Sequence, residues 1–359
     1  GSRADASSSV ADRLLHALAT PFEVRGLQLS VSCSIGVAVG RRGDTAESLV
    51  RDADTAMYRA KELGRNRTVT FDDQLRQRTV ARLEIESDLA RALERRELYL
   101  HYQPIVDPRS GRPVAAEALL RWRHPERGVV PPLEFIHVAE DLGIITDIGS
   151  WVFDEAAAQL ARWDRALDGP RIDYVAVNVS TRQLDFCAPE EWILPALERH
   201  GVAPSRFEVE VTESVAMGDL AASQEVLRAL RQLGVSIALD DFGTGYSSLS
   251  YLHELPISTV KVDRSFVERV VAADGSLPIV RAIVEMSHAM RLRVVAEGVS
   301  SAAIHGEVAA LGCDLAQGFH FAKPMTASQL SRWWQATTHA HGAADGDAAR
   351  PPRASLTRA

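Results

Sequence analysis

Cysteine is scarce. Three occur in 359 residues, Cys33, Cys187 and Cys313. No pair has metal-site or redox-motif spacing, so buried reduced thiols are expected rather than a disulfide framework. There is no run of 18 apolar residues and no signal-peptide pattern, so no membrane span is expected in this stretch and a cytoplasmic location is. Gly1-Ser2 reads as a cloning scar, which leaves room for an upstream membrane or sensor segment. Positive charge is also in short supply: 40 Lys and Arg face 48 Asp and Glu, a net charge of -8. That argues against general nucleic-acid binding. It does not exclude a small anionic substrate, because bound divalent cations would invert the local field.

What is present divides into regions. Residues 1–72 read as a mixed α/β fragment: a helix over Val10–Ala19, a hairpin within Phe22–Val39 about Gly26, a helix over Ala46–Leu63 and a strand at Val69–Phe71. This is too little for an independent domain with a good core. Residues 73–97, rich in Arg, Glu and Leu, read as a connecting helix. From 98 to 338 short apolar runs alternate with helical stretches. The runs are Leu98–Val106, Val114–Leu120, Tyr174–Val179, Phe207–Val211, Ser236–Leu239, Thr259–Val262, Arg293–Ala296 and Leu315–Phe319. Repeated βα units of this length fit an α/β (β/α)8 TIM-like barrel. An open doubly wound sheet is the alternative, but no G-x-G-x-x-G follows the first strand. Residues 339–359 are expected to be a disordered tail.

The ends of these runs carry the chemistry. Glu117, Asn178, Glu210 with Glu213, Asp240 with Asp241, Lys261 with Asp263, Glu297 and Gln317 follow one another along seven consecutive strands. In a barrel these ends converge on one mouth. A single carboxylate at a strand end is usually a cap or a loop residue. Several at one mouth repel unless cations are bound, and oxygen ligands favour Mg²⁺ or Mn²⁺. Adjacent Asp240 and Asp241 suit two ions, an arrangement used in phosphodiester hydrolysis. Lys261 and Asp263 share one strand face by alternation.

The motifs Tyr102-Gln103-Pro104, Glu117-Ala118-Leu119-Leu120-Arg121, Asn178-Val179-Ser180, Glu210-Val211-Thr212-Glu213, Asp240-Asp241-Phe242-Gly243-Thr244-Gly245, Lys261-Val262-Asp263, Glu297-Gly298-Val299 and Gln317-Gly318-Phe319 occur in this order. Together, over about residues 85–336, they resemble the EAL domain of cyclic-di-GMP phosphodiesterases. The resemblance implies hydrolysis of cyclic-di-GMP to linear pGpG, with Glu117, Asn178, Glu210 and Asp240 around one metal and Asp240, Asp241 and Asp263 facing a second. It implies that Lys261 orients or deprotonates the attacking water and that Glu297 and Gln317 complete the site. Gln103, Leu120 and Arg121 would contact substrate, Arg121 at a phosphate. Glu213 would anchor the loop Asp241–Ser248, and the barrel would form a homodimer. One departure is Ser300, where the family usually has a second Glu.

The amino-terminal stretch is similar to the last third of a GGDEF diguanylate cyclase domain, through Ser34-Ile35-Gly36-Val37-Ala38, Ala53 to Lys61 and Gly64-Arg65-Asn66. Lys61 and Arg65 match GTP-phosphate contacts, but the Gly-Gly-Asp-Glu-Phe turn is absent. The alternatives to an active phosphodiesterase are a receptor that binds cyclic-di-GMP without cutting it and a scaffold. Receptors of this family lose ligands or the lysine, and here all are present. No synthesis of cyclic-di-GMP from GTP is expected of this chain, which incubation with GTP and Mg²⁺ checks.

Overall fold

A computed structural model describes residues 3–19, 22–24, 27–29, 31–166, 171–186, 188–213, 220–243, 252–272 and 275–348. The chain forms two compact units, Gly1–Asp88 and Leu89–Ala359. In the first, a helix over Arg3–Ala19 precedes the antiparallel pair β1 (Phe22–Val24) and β2 (Leu27–Leu29); the turn about Gly26 lies outside the described residues. Strands β3 (Ile35–Ala38) and β4 (Thr68–Phe71) pair in parallel, joined through the helix Ala46–Glu62. That helix starts on a reciprocal cap. Thr45 Oγ1 accepts from Ser48 N–H, and Ser48 Oγ accepts from Thr45 N–H. Gly36 lets β3 lie against the helix, since a Cβ there would sit 2.0 Å from the Ala53 carbonyl oxygen. Among the described residues of this unit, the buried apolar side chains are Ala11, Ala56, Ala60 and Ile85. Three of the four are alanines, so little apolar area is removed from water. The helix that follows spans Asp73–Ala92.

The second unit is a closed barrel of eight strands. These are β5 (Leu98–Val106), β6 (Pro113–His124), β8 (Val175–Asn178), β9 (Phe207–Thr212), β10 (Ser236–Phe242), β11 (Thr259–Val262), β12 (Arg293–Ala296) and β13 (Leu315–Ala316); β7 (Gly128–Val130) extends β6 as a hairpin arm. Neighbours from β6 through β8 to β13 run parallel, and β5 closes the ring between β13 and β6. The strand β5 is antiparallel to both its neighbours. The barrel is therefore not built from eight identical βα units. Only six residues link β5 to β6, enough for a turn but not for a crossover helix. There Asp107 N–H donates to the Arg112 carbonyl.

Helices follow the other strands. Pro132–Leu142 and Ile145–Ala166 come after the β6–β7 hairpin, and Leu220–Gln232 after β9. Leu277–Ala289 follows β11, and Ala302–Ala310 follows β12. The last helix, Ala327–Ala348, runs ten residues into the stretch expected to be disordered. Its alanine-rich composition, which lacks apolar periodicity, also carries the highest helix propensity; residues 349–359 lie outside the described set. No helix among the described residues is long and apolar enough to cross a membrane. Cys313 is buried and Cys33 half-buried, both as free thiols, and Cys187 lies outside the described residues.

Small and branched side chains fill the barrel floor: Ile105, Ala115, Ala176, Val295 and Leu315, with Tyr174. Outside the ring, Tyr102 packs edge-on to Trp163, whose indole N–H donates to Ser331 Oγ in the last helix. A polar network ties the starts of three strands together. Glu208 on β9 is buried and accepts from Thr259 Oγ1 on β11 at 2.7 Å and from Arg293 Nη2 on β12 at 2.7 Å. Arg293→Met, which removes the cationic partner of the buried carboxylate, is expected to lower barrel stability by about 1–3 kcal/mol. Adding Glu208→Gln should recover much of that loss in urea unfolding curves.

Candidate active site

Register places the polar strand ends side by side. Gln103 on β5 pairs with Glu117 on β6, and Asn178 on β8 pairs with Glu210 on β9. Hydrogen bonds then cross the ring. Asn178 Nδ2 donates to Glu117 Oε1 at 2.8 Å and to Glu210 Oε2 at 3.1 Å. Gln317 Nε2 donates to Glu117 Oε2 at 2.6 Å and to Gln103 Oε1 at 3.0 Å. Gln103 is held from behind, donating to the Ala322 carbonyl at 3.0 Å. Both oxygens of Glu117 are thus oriented by amides from strands on opposite sides of it.

Lys261 enters from β11 and is only 1% exposed. Its ammonium lies 2.7 Å from Glu297 Oε1, 2.8 Å from Glu210 Oε1 and 3.3 Å from Asp240 Oδ1. The Glu210 contact lacks hydrogen-bond alignment, so that buried oxygen keeps unused acceptor capacity.

Adjacent Asp240 and Asp241 would face opposite ways in a regular strand. Here the β10–β11 register slips between Leu239 and Phe242, and Asp241 takes φ 55°. This bulge breaks the alternation and lets carboxylate oxygens of Asp240, Asp241 and Glu297 come within 4.8 Å of one another. Asp263 is also a helix cap: its Oδ1 accepts from Ser265 N–H at 3.0 Å. Glu213 Oε2 accepts from Gly243 N–H at 3.0 Å, which ties down the first turn after β10. Residues 244–248 of that loop lie outside the described residues.

The charges are not balanced. Burial and the Glu117 charge push the Glu210 carboxyl well above its ordinary range, against the pull of Lys261. Burial and Asp240 raise Glu297 to about 8, again against Lys261. Burial, Asp240 and Asp263 raise Asp241. Burial would raise Glu117 as well, but Lys261 and the amides of Gln317 and Asn178 outweigh it and hold its carboxyl low. Burial pushes the Lys261 ammonium down, yet the carboxylates led by Asp240 carry it well above its usual range. One cation thus serves several buried anions. An all-oxygen donor set with an unsatisfied oxygen and uncompensated negative charge fits hard divalent cations.

The cleft over these groups has a volume of about 240 Å³. Gln103, Glu117, Asp240, Glu297 and Gln317 line its inner part, and Arg264, Glu268, Ser300 and Phe319 its outer part. Ser300 stands exposed where a carboxylate was expected. Arg264 and Glu268, on and just after the short helix Arg264–Val267, follow no strand-end pattern; only the fold brings them here. Arg121 pairs with Tyr99 farther out along the β5–β6 hairpin and donates to the Leu120 carbonyl at 2.8 Å. Leu120 lies beside Arg121 on β6. The pleat turns it to the opposite face from Glu117, so Leu119 rather than Leu120 shares that face, opposite His101.

The repulsion has a measurable consequence. In chelator, Glu210→Gln should unfold at higher denaturant than wild type, by about 0.5–2 kcal/mol. It should also gain less thermal stability than wild type from added Mg²⁺.

Comparison with known proteins matches these features. Residues 86–324 match the EAL domain family, and residues 1–67 match the family described as diguanylate cyclase, GGDEF domain. The chain is 42% identical over 326 residues to the bifunctional diguanylate cyclase/cyclic di-GMP phosphodiesterase MucR of Pseudomonas aeruginosa, covering 90% of this chain and 47% of MucR. It is 39% identical over 332 residues to the cyclic di-GMP phosphodiesterase PdeR of Escherichia coli, covering 92% of this chain and 50% of PdeR. This chain therefore spans about half the length of these curated relatives. The solved structure of the P. aeruginosa MucR phosphodiesterase in complex with c-di-GMP superposes with a TM-score of 0.66 at 44% identity, covering 69% of this chain and 99% of that one. With a family match across two thirds of its length and a closed barrel carrying the acidic mouth, the chain belongs to the EAL domain family.

Proposed function

We propose that the barrel hydrolyses cyclic-di-GMP to linear pGpG with Mg²⁺ or Mn²⁺. The observation that carries this reading is the polar ring: Glu117, Asn178, Glu210, Asp240 and Lys261, on five neighbouring strands, are joined by contacts of 2.8–3.3 Å. The relatives named as cyclic di-GMP phosphodiesterases support the substrate. Glu117, Asn178, Glu210 and Asp240 would hold one ion, and Asp240 and Asp241, with Asp263, a second. Bound there, divalent ions polarise the phosphodiester and lower the pKa of water.

The chain's own groups do the rest. Three carboxylates within 3.3 Å keep Lys261 an ammonium, so it orients the attacking water and neutralises charge rather than acting as a base. Asn178 and Gln317 hold the Glu117 carboxylate in one orientation before substrate arrives. Glu213 fixes the start of the loop beside the mouth. Water oxygen adds to phosphorus, the P–O3′ bond breaks, and the 3′-hydroxyl leaves with the proton, giving one linear dinucleotide with a 5′-phosphate. Arg121 lies on the same hairpin face as Gln103 and Glu117, where it would meet phosphate. A cytoplasmic homodimer completes the reading, and light scattering of the purified protein checks the dimer.

With Mg²⁺ or Mn²⁺, chromatography is expected to show cyclic-di-GMP converted to pGpG, and Glu117→Ala is expected to slow this by more than about 100-fold. Binding of intact cyclic-di-GMP without turnover would establish the receptor reading instead.

A further inference from the structure

Two histidines that the hydrolytic site does not use meet beside the seam where β13 joins β5. His305 stands on the helix Ala302–Ala310, and His320 lies in the loop after β13. Their ring centroids are 5.2 Å apart at an interplanar angle of 47°. The Phe321 ring stands edge-on to both, at 5.0 Å and 5.1 Å. His305 Nε2 lies 2.6 Å from the carbonyl oxygen of Pro108, in the turn between β5 and β6. A carbonyl only accepts, so Nε2 carries the ring proton and Nδ1 keeps its lone pair. The loop that holds His320 is firmly seated. The His320 backbone N–H donates to the Val299 carbonyl at 2.9 Å, and a Cβ on Gly318 would come 2.1 Å from that same oxygen.

We propose that His305 and His320 hold a further metal ion, of the zinc class, apart from the carboxylate mouth. Two imidazoles on one tetrahedral ion, at about 2.0–2.1 Å each, set their ring centroids about 5 Å apart, which is the spacing found here. A ligating imidazole ordinarily donates its other N–H to a carbonyl or carboxylate, and Pro108 accepts it from His305. Phe321 limits rotation of both rings, so little side-chain freedom is lost on binding. Water fills the remaining positions. Ligand type keeps the two sites distinct. Imidazole suits Zn²⁺, Cu²⁺ and Ni²⁺, whereas the carboxylates of the mouth suit Mg²⁺ or Mn²⁺. The ion joins the helix Ala302–Ala310 to the loop after β13, and the Pro108 hydrogen bond extends the tie to the end of β5. These segments adjoin Glu297, Gln317 and Gln103 in the chain. An ion held there braces one side of the cleft without entering it.

Equilibrium dialysis of metal-stripped protein against Zn²⁺ in excess Mg²⁺ counts the ions bound. Wild type is expected to hold one more Zn²⁺ per chain than His320→Ala, a change at an exposed side chain. His305→Gln keeps a donor for the Pro108 carbonyl and should weaken that ion at least about 10-fold. His339→Ala, at another exposed histidine, should retain it. Cu²⁺ is the spectroscopic probe. Its electron paramagnetic resonance should show more imidazole nitrogen coupling in wild type than in His320→Ala. Zn²⁺ should also raise the thermal midpoint of wild type more than that of His320→Ala, by mass action. If His320→Ala binds as many Zn²⁺ ions as wild type with unchanged affinity, or the two copper spectra are the same, the three rings only pack and the site is overturned. Neither result bears on hydrolysis, which a separate Mg²⁺ assay follows. Far-ultraviolet circular dichroism verifies that each variant is folded.

Discussion

A single buried ammonium organises the mouth of the barrel. Lys261 is removed from water on the fifth strand of a parallel run, and an unpaired charge there would cost several kcal/mol. Glu210, Asp240 and Glu297, from β9, β10 and β12, offset that cost at 2.7–3.3 Å. The pairing has a limit. Three carboxylates meet one cation directly, and Glu117 adds a fourth negative charge nearby. The surplus shows in the raised carboxyls of Glu210, Glu297 and Asp241, while amides from Asn178 and Gln317 hold Glu117. Such a site is preorganised for cations at the expense of its own cation-free stability.

The barrel's irregular strand supports the same ring. Because β5 runs against its neighbours, Gln103 reaches the mouth from mid-strand instead of from a C-terminal end. It bonds Gln317 across the seam that closes the barrel, so closure and orientation of Glu117 depend on one chain of amides. The bulge in β10 does comparable work on the other side. Without it, one of Asp240 and Asp241 would point into the wall.

At the opposite end, the Glu208–Thr259–Arg293 network closes the floor by linking β9, β11 and β12. Charge is buried at both ends of the barrel, but with different results. At the floor one carboxylate meets one guanidinium and a hydroxyl, and the charges balance. At the mouth they do not. The imbalance, rather than burial itself, separates a stabilising network from a candidate metal site. The amino-terminal unit is built differently. Its α/β elements form, but its described core is nearly all alanine, and the glycine-rich catalytic turn of the cyclase family is not in the sequence.

Much of this was legible before folding. Apolar runs ending in polar or charged residues mark barrel strands; the runs at Thr259–Val262 and Arg293–Ala296 coincide with β11 and β12. The residue types at those ends determined that a carboxylate-rich mouth would form. Strand direction was not encoded in that pattern: alternation is the same for parallel and antiparallel neighbours, and the short link before β6 decided it. Leu120 came from the resemblance alone; on β6 it pairs with Leu100 and alternates with Glu117. Helix propensity without periodicity hid the end of the last helix. Only the tertiary structure could set Lys261 against three carboxylates from separate strands, or bring Arg264, Glu268 and Phe319 to one cleft, because those contacts join residues far apart in the chain whose local patterns carry no information about one another.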